Sequence, residues 1–383
     1  MTNDITRSFK ISLLLLATMG VMSGIAVVSA LPLIAEHFSD IKNIDLLSKL
    51  LLTIPAIVIA LFAPFAGMIV DKFGRLKPLY FAIITFVIGG SSGFYLEDFY
   101  YILIGRALLG VAVALVMTVG LALVGDYFDE GSRQKFLSLK GMAVGIGGIF
   151  FIILGGYLAE QGWHYPFLIY LIPLLYLPLL ISSLKEPKRY KHDVVIDQKV
   201  LTPELAKVYV TGFFSMLLFY ILPIQVPYLV VEAFHGTPTN IAWLIAFSML
   251  INALTASQYH RLKERFNFQS IFAITYLAFG IGLLIATLST AFWHLYIASF
   301  FMGIGFGLIM VNMNVWLLSL VQPHHRGHAI GILTSSFFTG QFFSPILFEP
   351  LVIYAGIKGL FGVLAAVALV VSLVLYLKSR ATL

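Results

Sequence analysis

Long apolar runs dominate this sequence and restrict the folds open to it. A helix needs roughly 20 mostly apolar residues to cross a bilayer, because lipid offers no hydrogen-bond partner to an unpaired backbone group. Twelve such runs, separated by short polar connections, lie at residues 11–35, 47–70, 78–95, 99–125, 139–159, 164–184, 205–232, 238–259, 269–289, 291–320, 328–350 and 356–377. We therefore expect an all-α integral membrane protein with twelve transmembrane helices.

The composition excludes several classes of function. Of the 383 residues, 60% are hydrophobic and 11% are charged, whereas soluble domains have about 45–50% and about 25%. A soluble enzyme or a nucleic-acid-binding protein is excluded. The chain has no cysteine and its nine histidines are scattered, so we expect no disulfide, no metal site and no cofactor.

Charged residues divide and orient the chain. The longest charged stretch, 185–203, is a predicted cytoplasmic linker between two six-helix bundles, 1–184 and 204–383. With the N-terminus in the cytoplasm, cytoplasmic segments hold 20 of the 24 lysines and arginines, as the positive-inside rule requires. Both termini are thus expected to be cytoplasmic. The first run is too long for a signal peptide and is expected to remain as a helix.

The two halves repeat each other at an offset of 193 residues. Four landmarks lie in register at this offset: Asp71 with Glu264, Gly110 with Gly303, Arg133 with Arg326, and Gly147 with Gly340. Two pseudo-symmetric bundles in parallel duplication are a plan found among secondary transporters, with a substrate site near the membrane midplane.

The loop between the second and third runs carries a recognisable motif. It contains Gly67, Asp71, Lys72, Gly74, Arg75 and Lys77. This spacing resembles the signature loop of the major facilitator superfamily, G-x-x-x-D-[RK]-x-G-R-[RK], with one extra residue before Lys77. Arg106 and Gly110 in the fourth run, and Asp126 and Arg133 after it, resemble further elements of that family. The resemblance covers all twelve runs and implies a transporter of small molecules, not an enzyme.

The resemblance also implies a role for the loop. Asp71 and Arg75 are expected to pair, with Asp126 joining them, and to contact the cytoplasmic end of the eleventh helix when the protein opens outward. The cluster then acts as a conformational latch. Gly67 is expected to allow two helices to approach closely, and Gly74 to allow a tight reversal. The alternative is a basic loop with a capping carboxylate and no mechanical role.

Arg106 is the one arginine predicted to lie inside a membrane helix, and two interpretations stay open. A buried arginine is costly in a membrane and therefore indicates a function by default. It either ties the fourth helix to backbone carbonyls of the first, or serves as a counter-charge for a proton-carrying group or an anionic substrate.

Polar and aromatic residues in the middle of predicted helices are candidates for a substrate cavity. The resemblance implies that helices 1, 4, 7 and 10 face the central path, flanked by 2, 5, 8 and 11. The candidates, besides Arg106 and Gly110, are Ser23, Tyr220, Gln225, Tyr228, Asn252, Asn312, Asn314, Trp316 and Gln341. Gln225, Asn312 and Asn314 together favour a cavity, although each alone could form an interhelical hydrogen bond.

Proton coupling would need a titratable group, and no carboxylate is predicted at a helix midplane. Glu36, Glu349 and His235 are the available candidates, each expected to be a solvated loop residue. Because the embedded charges are Arg106 and Lys49, a neutral or anionic substrate is favoured over a cation.

The fifth helix gives a partial indication of the transporter subgroup. Gly147, Gly155 and Gly156 match the packing glycines of G-x-x-x-G-P-x-x-G-G in drug antiporters, but Phe151 and Ile152 replace Gly-Pro. Pro345, in the equivalent eleventh helix, is expected to supply the kink instead.

We therefore predict a monomeric, proton-coupled efflux transporter of a drug or metabolite in a bacterial inner membrane. The absence of a G-x-x-x-x-G-K-[ST] loop excludes direct ATP drive. An importer of an anionic metabolite or metal chelate is the rival interpretation. A receptor or a membrane enzyme on the same scaffold is less well supported.

Overall fold

A computed structural model of the chain describes residues 6–187, 202–322 and 325–381. Every regular element in these ranges is a helix, and we number the long ones in chain order. The first six are α1 (Arg7–His37), α2 (Ile44–Phe73), α3 (Leu76–Gly90), α4 (Phe99–Tyr127), α5 (Glu130–Ala159) and α6 (Tyr165–Ser183). The next four are α7 (Pro203–Phe234), α8 (Pro238–Ser257), α9 (Phe268–Thr287) and α10 (Trp293–Leu320).

The last helical stretch, Arg326–Ala381, is two helices joined at a kink. Gly356 there has φ 71° and ψ 172°, and separates α11 (326–355) from α12 (357–381). In the described ranges, ten helical stretches are long and apolar enough to cross a membrane. Arg326–Arg380, with 55 residues, is counted once among them. Counting that stretch as two and adding the shorter α3 gives twelve, so the prediction of an all-α integral membrane protein is confirmed.

Several helices extend beyond the predicted apolar runs because polar residues cap them. α5 was expected at 139 but begins at Glu130, after Asp129. The hydroxyl and the amide of Ser132 both donate to Asp129, lowering the pKa of that carboxyl. α1 likewise begins at Arg7 and not at 11, and the hydroxyl of Thr6 accepts a hydrogen bond from the amide of Phe9. Helix length thus exceeds the length of the membrane-spanning run.

The chain forms two compact units, Met1–Val195 and Ile196–Leu383. Most of the predicted linker, residues 188–201, lies outside the described residues. In the first unit α4 packs against α2 and α3, and α1 packs against α5. In the second, α10 packs against α8 and α9, and α7 against the α11–α12 stretch. The same helix pairs meet in each unit, as the internal repeat predicts.

Two glycines show how closely the repeat is kept. A Cβ atom on Gly110 of α4 would lie 2.8 Å from the carbonyl oxygen of Pro55 in α2. A Cβ atom on Gly303 of α10 would lie 2.6 Å from the carbonyl oxygen of Ser248 in α8. All four positions obey the offset of 193 residues. Both crossings therefore need a residue without a side chain.

Gly110→Ala is expected to destabilise the protein, because α2 and α4 must move apart to admit the methyl group. The expected loss is about 1–3 kcal/mol, measured by thermal unfolding in one detergent. Gly120→Ala on the same helix is the matched control, since a Cβ there meets nothing within 4 Å. That variant should gain about 0.5–1 kcal/mol. Equal effects at the two positions would contradict the proposed crossing.

Candidate functional site

The loop between α2 and α3 turns at Gly74. This glycine has φ 91° and ψ −175°, and its N–H caps α2 by donating to the carbonyl of Val70. The positive φ strains any residue with a Cβ. α3 begins two residues later, so Arg75 is held at the turn itself.

Arg75 joins two carboxylates. Its Nε donates to Asp126 Oδ2 at 3.0 Å, and its Nη1 donates to Asp71 Oδ1 at 3.0 Å. Partial burial alone would lower the pKa of Arg75, but hydrogen bonds and charges from Asp126 and Asp71 outweigh it and raise that pKa. Asp126 is 30% exposed and Asp71 is 64% exposed, so the Asp126 pair is less screened by solvent. We call Asp71, Arg75 and Asp126 the loop network.

The other residues of the predicted motif lie around this network. Arg133 donates to the carbonyls of Gly125 (2.9 Å) and Phe128 (3.1 Å), at the end of α4. Lys72 lies 5.3 Å from the ring centroid of Phe73, and Lys77 is exposed. Within the first unit no helix approaches Gly67 closely, because a Cβ atom there would meet nothing within 4 Å.

A carboxylate that no sequence motif indicated completes the loop. Glu186, just after α6, accepts hydrogen bonds from the backbone N–H groups of Arg75 (2.7 Å) and Leu76 (2.9 Å). Tyr127 also donates to the carbonyl of Lys185 at 2.9 Å. Glu186 therefore caps α3 at its positive end and fixes the beginning of the linker to the loop. A single acid after an apolar helix was too weak a signal to find.

Glu186→Ala is expected to loosen the beginning of α3, because two backbone donors lose their acceptor. The expected cost is about 0.5–2 kcal/mol. Hydrogen exchange of the peptide containing Arg75 and Leu76 should become faster, with little change elsewhere. Glu97→Ala, an exposed acid before α4, is the control. Unchanged hydrogen exchange at Arg75 and Leu76 would show that the Glu186 cap does not stabilise the beginning of α3.

Arg106 is completely buried in the first unit, with 0% exposure. Its Nε donates to the carbonyl of Leu51, one Nη to the carbonyl of Ser23 and the other Nη to the hydroxyl of Tyr170, each at 2.8 Å. Tyr170, which sequence reasoning missed, also donates to Ser23 O at 3.3 Å. The predicted structural tie is therefore present. These three bonds leave two of the five guanidinium N–H groups for other partners.

Two of the candidate cavity residues instead bond within the second unit. Asn312 is fully buried, accepts from Tyr259 Oη at 2.8 Å and donates to the carbonyl of Phe268 at 3.1 Å. Asn314 donates to the carbonyl of Met310, one turn back on α10, at 2.7 Å. A buried amide in a low-dielectric interior forms hydrogen bonds with the protein groups that lie within reach. The interpretation that these amides together face a substrate is corrected.

Gln225 behaves differently from the two asparagines. It lies in the C-terminal part of α7, after a break at Tyr220, and is 1% exposed. Neither its Oε1 nor its Nε2 has a hydrogen-bond partner among the residues that the structure describes. An unpaired buried polar group costs about 1–3 kcal/mol, so Gln225 stays the strongest candidate for a substrate contact.

The remaining cavity candidates are spread over several environments. Ser23 is buried and donates to the carbonyl of Gly20 at 2.7 Å. Trp316 lies 5.5 Å from the ring of Phe272, measured between centroids. Tyr228 is buried, whereas Tyr220, Asn252 and Gln341 are half-buried.

The three candidate proton sites differ in exposure. Glu36 and His235 are exposed, as expected. Glu349 is only 6% exposed, so its interpretation as a solvated loop residue is wrong. The helix α11 continues past it to 355 and places it inside a packed element. Lys49 on α2 is likewise buried, at 2% exposure.

The glycines of α5 have the packing role expected of them. A Cβ on Gly147 would lie 3.1 Å from Thr18 Cγ2, and one on Gly155 would collide with the carbonyl of Ala26, both on α1. Gly156 is buried beside them. In the second unit Pro345 is buried, and its neighbour Ser344 donates to the carbonyl of Leu217 at 2.8 Å. Among the described residues, no three His, Asp or Glu side chains converge in a metal-binding arrangement.

These features define a multi-pass membrane protein built from two repeated helical units. Residues 11–203 and 208–382 match the family model described as Major Facilitator Superfamily. The chain belongs to this family, and it is therefore a transporter of small molecules and not an enzyme.

Similar proteins include bacterial resistance proteins. Multidrug resistance protein 1 of Bacillus subtilis is 28% identical over 76% of this chain and 77% of its own length. The class H tetracycline resistance protein of Pasteurella multocida is 24% identical over 62% of this chain, and the match spans 58% of that protein. The class B protein of Escherichia coli is 27% identical, and the match spans 47% of it.

Solved structures agree on the fold. A bacterial homologue of the human lysosomal transporter Spinster, in an inward-facing and occupied conformation, has a TM-score of 0.76 at 18% identity. It covers 100% of this chain and 98% of its own. A D-xylose–proton symporter has a TM-score of 0.75 at 16% identity, covering 96% and 97%.

Proposed function

We propose that the chain exports a drug or metabolite across a bacterial inner membrane in exchange for protons. It acts as a monomer by rocker-switch alternating access, with both termini in the cytoplasm. The bundles 1–184 and 204–383 move as two bodies joined by the linker 185–203, and the substrate binds near the midplane. The positive-inside distribution of lysine and arginine supports this orientation.

The loop network is the observation that carries the proposal. Arg75 bridges Asp71 and Asp126, while Glu186 holds the same turn to the beginning of the linker. Because its three residues lie in one bundle, the loop network holds the loop in a fixed shape. The latch contact expected of this loop is made in one conformation and broken in another, so the network can bias a two-state equilibrium. The resistance proteins similar to this chain support export as the direction and a drug-like substrate.

Gln225 is the residue we assign to substrate contact. Its amide is buried, and within the described part of the chain neither its donor nor its acceptor has a hydrogen-bond partner. A substrate that offers one polar group to this amide recovers the cost of burying it. An aromatic drug with a hydroxyl or amide group meets this requirement.

The test is drug accumulation in bacterial cells that lack their own exporters. Wild type should lower ethidium or tetracycline accumulation, and a protonophore should abolish the difference. Gln225→Leu should raise accumulation at least about threefold, since about 1 kcal/mol of binding is lost, without loss of thermal stability. Asn314→Leu is the matched control, because its amide bonds within its own helix. Accumulation equal to that of empty cells for wild type would contradict the export proposal.

Import of an anionic metabolite or a metal chelate is the second candidate, and Arg106 is the observation that favours it. The partners of its buried guanidinium are two carbonyls and a hydroxyl, none of which neutralises its charge. Wild-type cells that take up a carboxylate faster than empty cells would support this candidate over export.

A further inference from the structure

A crevice of about 970 Å³ lies within the second unit. α7 lines it from Val210 to Leu218, α9 from Asn267 to Tyr276 and α12 from Leu364 to Leu375. Its volume is near the upper end of the range for small-molecule pockets, roughly 300–1,000 Å³. The residues discussed above for substrate transport, apart from Trp316, are not among those that line it.

The crevice has exposed side chains in its lining and extends along α12 for about the thickness of one lipid leaflet. Val210 and Phe214 on α7 and Val367 on α12 line it and are 53%, 58% and 50% exposed. From Leu364 to Leu375 a helix rises about 16 Å, close to half of the roughly 30 Å hydrocarbon core of a bilayer. An extended acyl chain of one leaflet therefore matches the crevice in length and polarity.

Polar groups are concentrated at one end of the crevice. Asn267, which caps α9, and Gln269 line that end, and Thr211 lines it from α7, about two turns after that helix begins. Phe268 also lines the crevice there, and Lys263 Nζ lies 4.1 Å from the centroid of its ring. A cation is thus fixed at the rim, next to the positive end of α9.

Two further lysines lie on the faces of the helices that border the crevice. Lys207 is three residues before Val210 on α7, and Lys378 is three residues after Leu375 on α12; residues at this spacing share a helix face. Acids are present as well, Glu204 on α7 and Glu264 beside Lys263. Segment 259–270 nonetheless contains three basic residues and one acidic residue, so the rim is basic. They are Arg261, Lys263, Arg265 and Glu264.

We propose that this crevice binds one anionic glycerophospholipid of the cytoplasmic leaflet. An acyl chain lies along α7, α9 and α12, and the phosphate lies among Lys207, Lys263 and Lys378. The leaflet assignment rests on the membrane orientation given under the proposed function, but the binding site does not depend on the direction of transport.

Native mass spectrometry of the delipidated full chain tests the headgroup contact. Phosphatidylglycerol should bind more tightly than phosphatidylcholine with the same acyl chains. Lys207→Gln with Lys263→Gln should weaken phosphatidylglycerol binding about 10- to 30-fold. Phosphatidylcholine binding should weaken much less, because the choline cation already offsets the charge of its phosphate. Arg7→Gln with Lys10→Gln removes the same charge from the exposed beginning of α1 and should have no effect. Equal binding of both lipids to wild type, or no change in the Lys207 and Lys263 variant, would overturn the proposal.

A second pair of variants tests the acyl-chain contact. Val367→Trp fills the crevice and should weaken binding of both lipids at least about tenfold, while Val370→Trp, 60% exposed on the same helix but outside the lining, should not. Wild-type lipid binding by Val367→Trp would contradict the assignment. The assignment would also be contradicted if ethidium competed with phosphatidylglycerol for the crevice and bound equally well to the variant with Lys207→Gln and Lys263→Gln. None of these readouts requires transport, so failure of the export proposal leaves them interpretable.

Discussion

Arg106→Met is expected to cause the largest loss of stability of any single substitution considered for this protein. Methionine preserves much of the volume but leaves the carbonyl of Leu51 without its side-chain donor. The carbonyl of Ser23 and the hydroxyl of Tyr170 keep only the bond between them. An unsatisfied buried group costs about 1–3 kcal/mol and each lost hydrogen bond about 1 kcal/mol, so a total of about 3 kcal/mol or more is expected. A guanidinium in a membrane helix is itself costly, which offsets part of this loss.

Thermal unfolding in detergent, together with transport by the surviving folded protein, checks this prediction. Arg133→Met removes an arginine from an exposed position and serves as the control. Tyr170→Phe should cost about 1–2 kcal/mol, since the bonds of its hydroxyl to Arg106 and to the carbonyl of Ser23 are both lost. If Arg106→Met is as stable as wild type yet does not transport, the structural tie is unimportant and the counter-charge interpretation is favoured.

Arg75→Gln is expected to have the largest effect on turnover among variants that leave the cavity intact. It removes both ion pairs of the loop network, whereas Asp71→Asn removes only the more exposed one. Two partly exposed pairs are worth about 1–2 kcal/mol together. A change of that size in the balance between conformations slows the cycle by about fivefold to thirtyfold. Asp71→Asn should slow it about threefold.

Substrate affinity provides the control readout for these variants, and Lys77→Gln the control substitution. Lys77 is exposed and lies on the same loop, so its change alters the local charge but not the network. Ligand-induced thermal shifts should be equal in wild type, Asp71→Asn and Arg75→Gln. If Arg75→Gln turned over as fast as wild type, the loop network would not act as a conformational latch.

The fold could be predicted almost completely because the bilayer restricts what a chain can do. Twelve apolar runs and a repeat of 193 residues leave few architectures, and Gly110 and Gly303 match this repeat in their helix crossings. The helix ends were harder to predict. α5 begins nine residues before its apolar run because Asp129 caps it, and capping lies outside the hydrophobic signal.

The site could be predicted only where a local pattern carries it. The residues of the loop network lie close in sequence or at helix ends, so a motif revealed them. Glu186 is 111 residues from the backbone N–H of Arg75 that it caps, and Tyr170 is 64 residues from Arg106. Such distant pairings have no local signature. The sequence also could not separate Asn312, which bonds to Tyr259 and to the beginning of α9, from Gln225, whose side chain has no hydrogen-bond partner among the described residues.

Transport by the purified chain in proteoliposomes tests the account most directly. With an imposed acidic lumen, ethidium or tetracycline should accumulate inside against its gradient as protons leave, and an ionophore that collapses the pH difference should stop it. Arg75→Gln should show the same dependence at a lower rate. Accumulation that is independent of the pH difference, or that requires protons and substrate to move in the same direction, would contradict proton-coupled export.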